Sequence, residues 1–193
     1  MDKIKVLFVC LGNICRSPMA EAIFNHKVEQ KGLSNHFEAD SAGTANYHVG
    51  KSADSRTIRT VERMGIRITH SARQVTTPDL RYYSYVLAMD AENMEILNTL
   101  AEADAALGGQ IYLMRDFEPG AQPYNTANEN QPYTNVDPLA DTPRDPLTPN
   151  LAVPDPYYGG DDGFQEVYEI LDRTIENLIN FIIKKNKLQP NVR

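Results

Sequence analysis

Seven residues near the start of the chain, Ile4 to Cys10, constrain its fold most. They read Ile-Lys-Val-Leu-Phe-Val-Cys, apolar at every position but Lys5. A run apolar at successive positions has no solvent face, so it belongs to a central parallel strand covered on both sides. A short turn over 10–17 follows, and Ser17-Pro18 then reads as an N-cap with proline at the first helical position. Met19, Ala22, Ile23 and Val28 predict a helix over 18–31, closed by Gly32.

The same alternation continues downstream. Residues 36–41 predict a second strand ending in the turn Ser41-Ala42-Gly43-Thr44. Asp54 predicts the cap of a helix over about 55–64, with Ile58, Val61 and Met64 on one face and Gly65 as its stop. Thr77-Pro78-Asp79 is a further helix start, and Tyr85–Met89 a strong strand. Asp90 caps a helix carrying Met94, Ile96, Leu97 and Leu100, and Ile111–Met114 is a fourth strand. From about residue 163, Phe164, Val167, Tyr168, Leu171, Ile175, Leu178, Ile179 and Ile182 recur at helical spacing. Asp161 and Asp162 near its start and Lys184, Lys185 and Lys187 at its end match the helix dipole. Strands alternating with helices imply an α/β fold with a doubly wound, flavodoxin-like parallel sheet. Ligands bind beyond the carboxyl ends of such strands, and Cys10, Ser41, Asp90 and Asp116 all fall toward that edge. Residues 118–154 break the rhythm, being rich in Pro, Asn, Asp and Thr, and read as an insertion into a single domain spanning 1–193.

Bulk properties narrow the function. A net charge of -7 and a pI near 5.1 argue against nucleic acid as a partner. No apolar run reaches the roughly 20 residues a membrane helix requires, so a membrane partner is not expected. The two cysteines, Cys10 and Cys15, lie in one segment and cannot staple distant parts of a secreted fold. They also fall short of a zinc site, so no metal is expected and the cytoplasm is the expected compartment.

The chemistry lies in Cys10-Leu11-Gly12-Asn13-Ile14-Cys15-Arg16-Ser17-Pro18. A cysteine ends a buried strand, five residues intervene, and an arginine opens a helix. Gly12 allows tight curvature and Asn13 tolerates a left-handed backbone. Such a turn aims successive N–H groups into one anion-binding concavity at a helix N-terminus. Arg16 offers a planar fork for two phosphate oxygens, and its field favours the nucleophilic thiolate of Cys10. Ser17 is placed to hydrogen-bond that sulfur. The Gly-Lys-[Ser/Thr] ending of an ATP-type phosphate loop is absent.

Val9 through Ala20 resembles the low-molecular-weight protein tyrosine phosphatases. Ser41-Ala42-Gly43-Thr44, His70-Ser71-Ala72-Arg73-Gln74-Val75, Met89-Asp90 and Asp155-Pro156-Tyr157-Tyr158-Gly159 resemble further family segments in the family's order. The resemblance covers almost the whole chain except 118–154. It implies a four-stranded parallel sheet, a phosphocysteine intermediate on Cys10, no cofactor and no metal. It further implies phosphate binding by Arg16 and a general acid at Asp155, which also activates water against phosphocysteine. Phosphotyrosine proteins or peptides are the implied partners, with inorganic phosphate as product and a cognate tyrosine kinase as a further partner. Taken alone, an Asp before Pro reads more readily as a turn residue than as an acid. Asp137-Pro138 and Asp145-Pro146 compete for the acid's role, but neither precedes paired tyrosines or leads directly into the last helix.

By the same resemblance Asn13, Ser41 and His70 support the phosphate loop, since a strained Asn needs outside hydrogen bonds. Tyr47, Tyr157 and Tyr158 would rim the pocket. Cys15 is either a small buried filler or a trap for oxidised Cys10, which would make the enzyme redox-sensitive. Three alternatives stand beside the tyrosine phosphatase. Thiol-dependent arsenate reduction needs relay cysteines, and residues 70–100 contain none. Protein-arginine phosphatases resemble this loop but carry Thr where this chain has Ile14, whose bulk suits a phenyl ring better. A non-catalytic phosphate-binding module would be expected to lack the nucleophile or the acid. Tyr124 and Tyr133, within the insertion, are candidate modification sites.

Overall fold

The computed structural model describes residues 2–102, 110–118 and 152–189. The expectations for most of the insertion, including Tyr124, Tyr133, Asp137 and Asp145, lie outside the described residues. Four parallel strands form one sheet: β1 (Ile4–Cys10), β2 (Phe37–Gly43), β3 (Tyr85–Ala88) and β4 (Gln110–Leu113), in the order β2-β1-β3-β4. The connecting helices are α1 (Arg16–Gln30), α2 (Ser55–Arg63), α3 (Thr77–Tyr82) and α4 (Ala91–Glu102), and α5 (Asp161–Asn186) closes the fold.

The alternation of side chains along β1 divides the core. Val6, Phe8 and Cys10 face α1 and α5, packing with Met19, Ile23 and Phe164. Leu7 and Val9 face the opposite side with Leu80, Met94 and Leu97 of α3 and α4. Every residue from Val6 to Val9 is fully buried, as a run without a polar face requires. Among the described residues no helix is long and apolar enough to cross a membrane.

Several boundaries differ from the sequence expectations. Helix α1 starts at Arg16, with Cys15 rather than Ser17 at the N-cap. The Ser17 hydroxyl is engaged by Cys10 Sγ and Asn13 instead of capping the helix. Strand β2 runs on to Gly43, because the ladder pairs Cys10 with Gly43, so Ser41 lies within the strand. Asp54 caps α2 as expected, accepting from the Arg56 N–H at 2.8 Å, but the helix buries Thr57, Thr60 and Val61 while Met64 is exposed. Asp90 caps α4 through Asn93 N at 2.8 Å, and Ile96 is exposed rather than packed. Met114 opens a short 3-10 turn, Met114–Phe117, instead of ending β4.

Candidate active site

Strand β1 delivers Cys10 to the carboxyl edge of the sheet, and residues 11–15 turn there into α1. Asn13 takes the left-handed backbone expected of it, with φ 56°. This turns its N–H onto Cys10 Sγ at 3.3 Å, while Ser17 Oγ reaches the same sulfur at 3.0 Å. Gly12 lies within the bend of residues 11–15, as its expected role in curvature requires. A Cβ on Gly12 would lie 2.9 Å from His48 Cδ2, so a side chain there would displace the His48 ring. Gly43 is equally confined, since a Cβ there would meet Leu11 O at 2.8 Å. The first-turn amides of α1 open at the same end, an anion-binding arrangement.

The left-handed Asn13 is held from behind by a network the sequence showed only in part. Its side-chain amide donates to Ser17 Oγ at 2.9 Å and Ser41 Oγ at 3.0 Å. Its Oδ1 accepts from Arg73 N at 2.8 Å, and its carbonyl lies 2.7 Å from His70 Nε2. A carbonyl only accepts, so Nε2 carries the proton in that contact. Burial lowers the His70 pKa, which favours the neutral ring. Ser41 and His70 thus lie against Asn13 of the loop and outside the lining of the pocket.

Glu21 completes this network and was not anticipated. Its Oε2 accepts from Ser41 Oγ at 2.7 Å and lies 4.0 Å from His70 Nδ1. Burial, with a contribution from Asp40, pushes the Glu21 carboxyl up to about 7 against the opposing effects of Ser41 and Arg73. Between the ordinary carboxylate range and that value, the folded protein holds a proton the unfolded chain has released. Stability therefore falls as pH rises through that window. In thermal melts, Glu21→Gln is expected to gain on the wild type by several degrees between about pH 5 and about pH 8. A difference in melting temperature that stays constant with pH would contradict this.

In front of the loop, Arg16 is nearly buried at 3% exposure. Its Nη1 donates to Asp90 Oδ2 at 2.6 Å and to Val153 O at 3.1 Å, and Nη2 lies 3.4 Å from Asp155 Oδ2. Burial opposes its charge, but Cys10 and Asp90 outweigh burial and raise its pKa. The Asp155 carboxylate is 39% exposed and accepts from Tyr157 N at 3.0 Å. Asp90 thereby serves Arg16 as well as α4, a role its place just after β3 allows but does not specify.

Cys10, Arg16 and Asp155 converge on a pocket of about 120 Å³. Leu11, Gly12, Ile14 and Cys15 of the loop line it, together with Tyr47, His48, Tyr157 and Tyr158. Tyr47 and Tyr158 are 71% and 94% exposed, so the rim is aromatic and open. The His48 ring stands 6.5 Å from that of Tyr47 and 6.3 Å from that of Tyr157. It escaped the sequence reading, although its adjacency to Tyr47 was a usable signal. Cys15 is a buried thiol, its pKa pushed up to about 12 by burial and by Asp54 and Cys10. A larger groove of about 410 Å³ between α1 and residues 65–69 contains no thiol.

A family model described as "Low molecular weight phosphotyrosine protein phosphatase" matches residues 5–138. A Schizosaccharomyces pombe protein of that description is 35% identical over 181 residues, covering 93% of this chain and 97% of the relative. Among solved structures, a protein tyrosine phosphatase from Entamoeba histolytica, with Hepes in the active site, superposes with a TM-score of 0.74 at 34% identity, covering 96% of this chain and all of that one. The Drosophila arginine phosphatase superposes with a TM-score of 0.74 at 26% identity, covering 92% and 96% of the two chains.

Proposed function

The chain belongs to the low molecular weight phosphotyrosine protein phosphatase family, and from that premise we propose that it hydrolyses phosphotyrosine through phosphocysteine on Cys10. The observation that carries this reading is the convergence of a thiol, a guanidinium and a carboxylate on one small pocket with aromatic walls.

In the reaction, Cys10 attacks phosphorus as the thiolate, opposite the departing phenolate. The loop amides and the Arg16 fork hold the phosphoryl oxygens as charge develops on them. Asp90 and the Val153 carbonyl fix the guanidinium from behind, so it meets the transition state already oriented. The arriving phosphate competes with Asp155 for Arg16 Nη2, and the carboxylate released from that contact takes up a proton from solvent and delivers it to the leaving phenolate oxygen. The resulting carboxylate then takes a proton from the water that attacks phosphocysteine. The sulfur–phosphorus bond breaks, and the Ser17 hydroxyl and Asn13 N–H receive the returning thiolate.

Tyr47, Tyr157 and Tyr158 flank the substrate ring, and Ile14 offers it an apolar contact. The likeness to the Drosophila arginine phosphatase supports a second reading, phosphoarginine hydrolysis. Ile14 argues against it, since a guanidinium buried on an aliphatic surface loses hydration without gaining a partner. Cys15 serves oxidation rather than turnover in this reading. A sulfenic acid on Cys10 condenses with the Cys15 thiol to a disulfide, releasing water.

A metal-free substrate panel tests the proposal. Wild-type protein is expected to release phosphate from a phosphotyrosine peptide at least about tenfold faster than from phosphoarginine or phosphoserine peptides. Preference for phosphoarginine would transfer the conclusion to the second reading, and dependence on added divalent ion would reject both.

A further inference from the structure

We infer that Arg56 is a positioning residue for catalysis, a strut that fixes the Asp155 loop relative to the phosphate loop. The inference rests on the reading of Asp155 as general acid and identifies what holds that acid in place.

The start of α2 is tied to the phosphate loop, because Asp54 N donates to Ile14 O at 2.8 Å. The Asp54 carboxylate then grips Arg56, accepting from its backbone N at 2.8 Å, Nε at 3.0 Å and Nη2 at 2.9 Å. One edge of the guanidinium is thereby fixed. The remaining donors cross to the acid loop, Nη2 to Tyr157 O and Nη1 to Gly159 O, each at 3.1 Å. The group also lies over the buried Phe164 ring at the start of α5, 4.5 Å from its centroid. Ile14, Asp54, Arg56 and the 157–159 carbonyls form one continuous chain of hydrogen bonds.

The loop needs this grip. Val153 is secured, its N–H donating to Met89 O at 2.7 Å. Asp155 itself is half exposed, and its 3.4 Å contact with Arg16 is one the substrate displaces. What relates its carboxyl to the backbone is the turn that follows: Tyr157 N donates to Asp155 Oδ1 at 3.0 Å, and Gly159 N to Pro156 O at 3.0 Å. Holding the carbonyls of 157 and 159 therefore holds the carboxyl. A proton donor misplaced by an ångström loses much of its effect, so lateral fixation of this turn has a kinetic consequence. Lysine substitutes only in part, since its ammonium lacks the planar fork that meets the carboxylate along one edge and two carbonyls along the other.

The test compares kcat/KM for phenyl phosphate, whose leaving group resembles tyrosine and needs the proton, with 4-nitrophenyl phosphate, whose leaving group departs readily without it. Thermal melts confirm that each variant is folded. Arg56→Ala is expected to lose about tenfold on phenyl phosphate, part of the roughly 10²–10⁴ a general acid contributes, and less than about threefold on 4-nitrophenyl phosphate. Arg56→Lys is expected to show the same selectivity at smaller size. In an Asp155→Ala background, Arg56→Ala is expected to add no further selectivity, because the group it positions is gone. Equal losses on both substrates, no loss, or a selective loss that persists without Asp155 would each overturn the inference while leaving the acid assignment standing. If Asp155→Ala alone shows no leaving-group selectivity, the acid assignment fails and this inference with it.

Discussion

Cys10→Ser is expected to lose turnover of a phosphotyrosine peptide by on the order of 10⁴-fold or more while keeping its fold. The size follows from chemistry rather than packing. Serine preserves volume and can still hydrogen-bond Ser17 and Asn13, so the buried loop around the 2%-exposed Cys10 is little disturbed. What disappears is a sulfur, a far stronger nucleophile and better leaving atom than a hydroxyl oxygen. A hydroxyl flanked by Arg16 but lacking a neighbouring base remains protonated and is a poor nucleophile. Acid-quenched wild-type reactions should carry phosphate on the Cys10 peptide, and the variant none. Substantial turnover by the variant, or wild-type hydrolysis with no adduct at that sulfur, would remove the covalent route.

Asp155→Ala is expected to lower turnover of phosphotyrosine peptides by roughly 10²–10³-fold, because both the departing phenolate and the attacking water lose their proton partner. Asp145→Ala is expected to change it by less than about threefold, the usual range for a residue outside the machinery. The pair matters because three Asp-Pro steps compete in this chain and the family model ends at residue 138, before Asp155. Asp155 alone of the three is described in the structure, its Oδ2 3.4 Å from Arg16 Nη2. Comparable losses in the two variants would withdraw the assignment, as would a larger loss in Asp145→Ala.

The fold was legible wherever burial is two-sided or a cap is local. Ile4–Cys10 and Tyr85–Ala88 are strands because apolar side chains on both faces leave them nowhere else to go. Asp54 and Asp90 cap their helices through bonds to residues two and three positions on, within reach of sequence reasoning. The errors arose where a distant partner outbid a local rule. Ser17 is a good N-cap by composition, yet its hydroxyl serves Cys10 and the helix begins earlier. Gly12 suggested curvature, and its further confinement by a histidine ring from the 46–50 turn left no mark in the local sequence.

The site divides in the same way. Cys10, Asn13 and Arg16 lie in one short segment, and the strand, turn and helix that hold them are encoded by their immediate neighbours. Their identity and mutual order were fixed by the one-dimensional text, as was the alternation that requires a parallel sheet. Tertiary structure alone decided which carboxylates serve Arg16, which residues support Asn13, and that Glu21, His48 and Arg56 belong with them. The physical reason is range. Backbone capping and side-chain periodicity act over one helical turn and leave a trace in spacing, whereas a hydrogen bond between residues 16 and 90, or 56 and 159, exists only after the chain has folded back on itself.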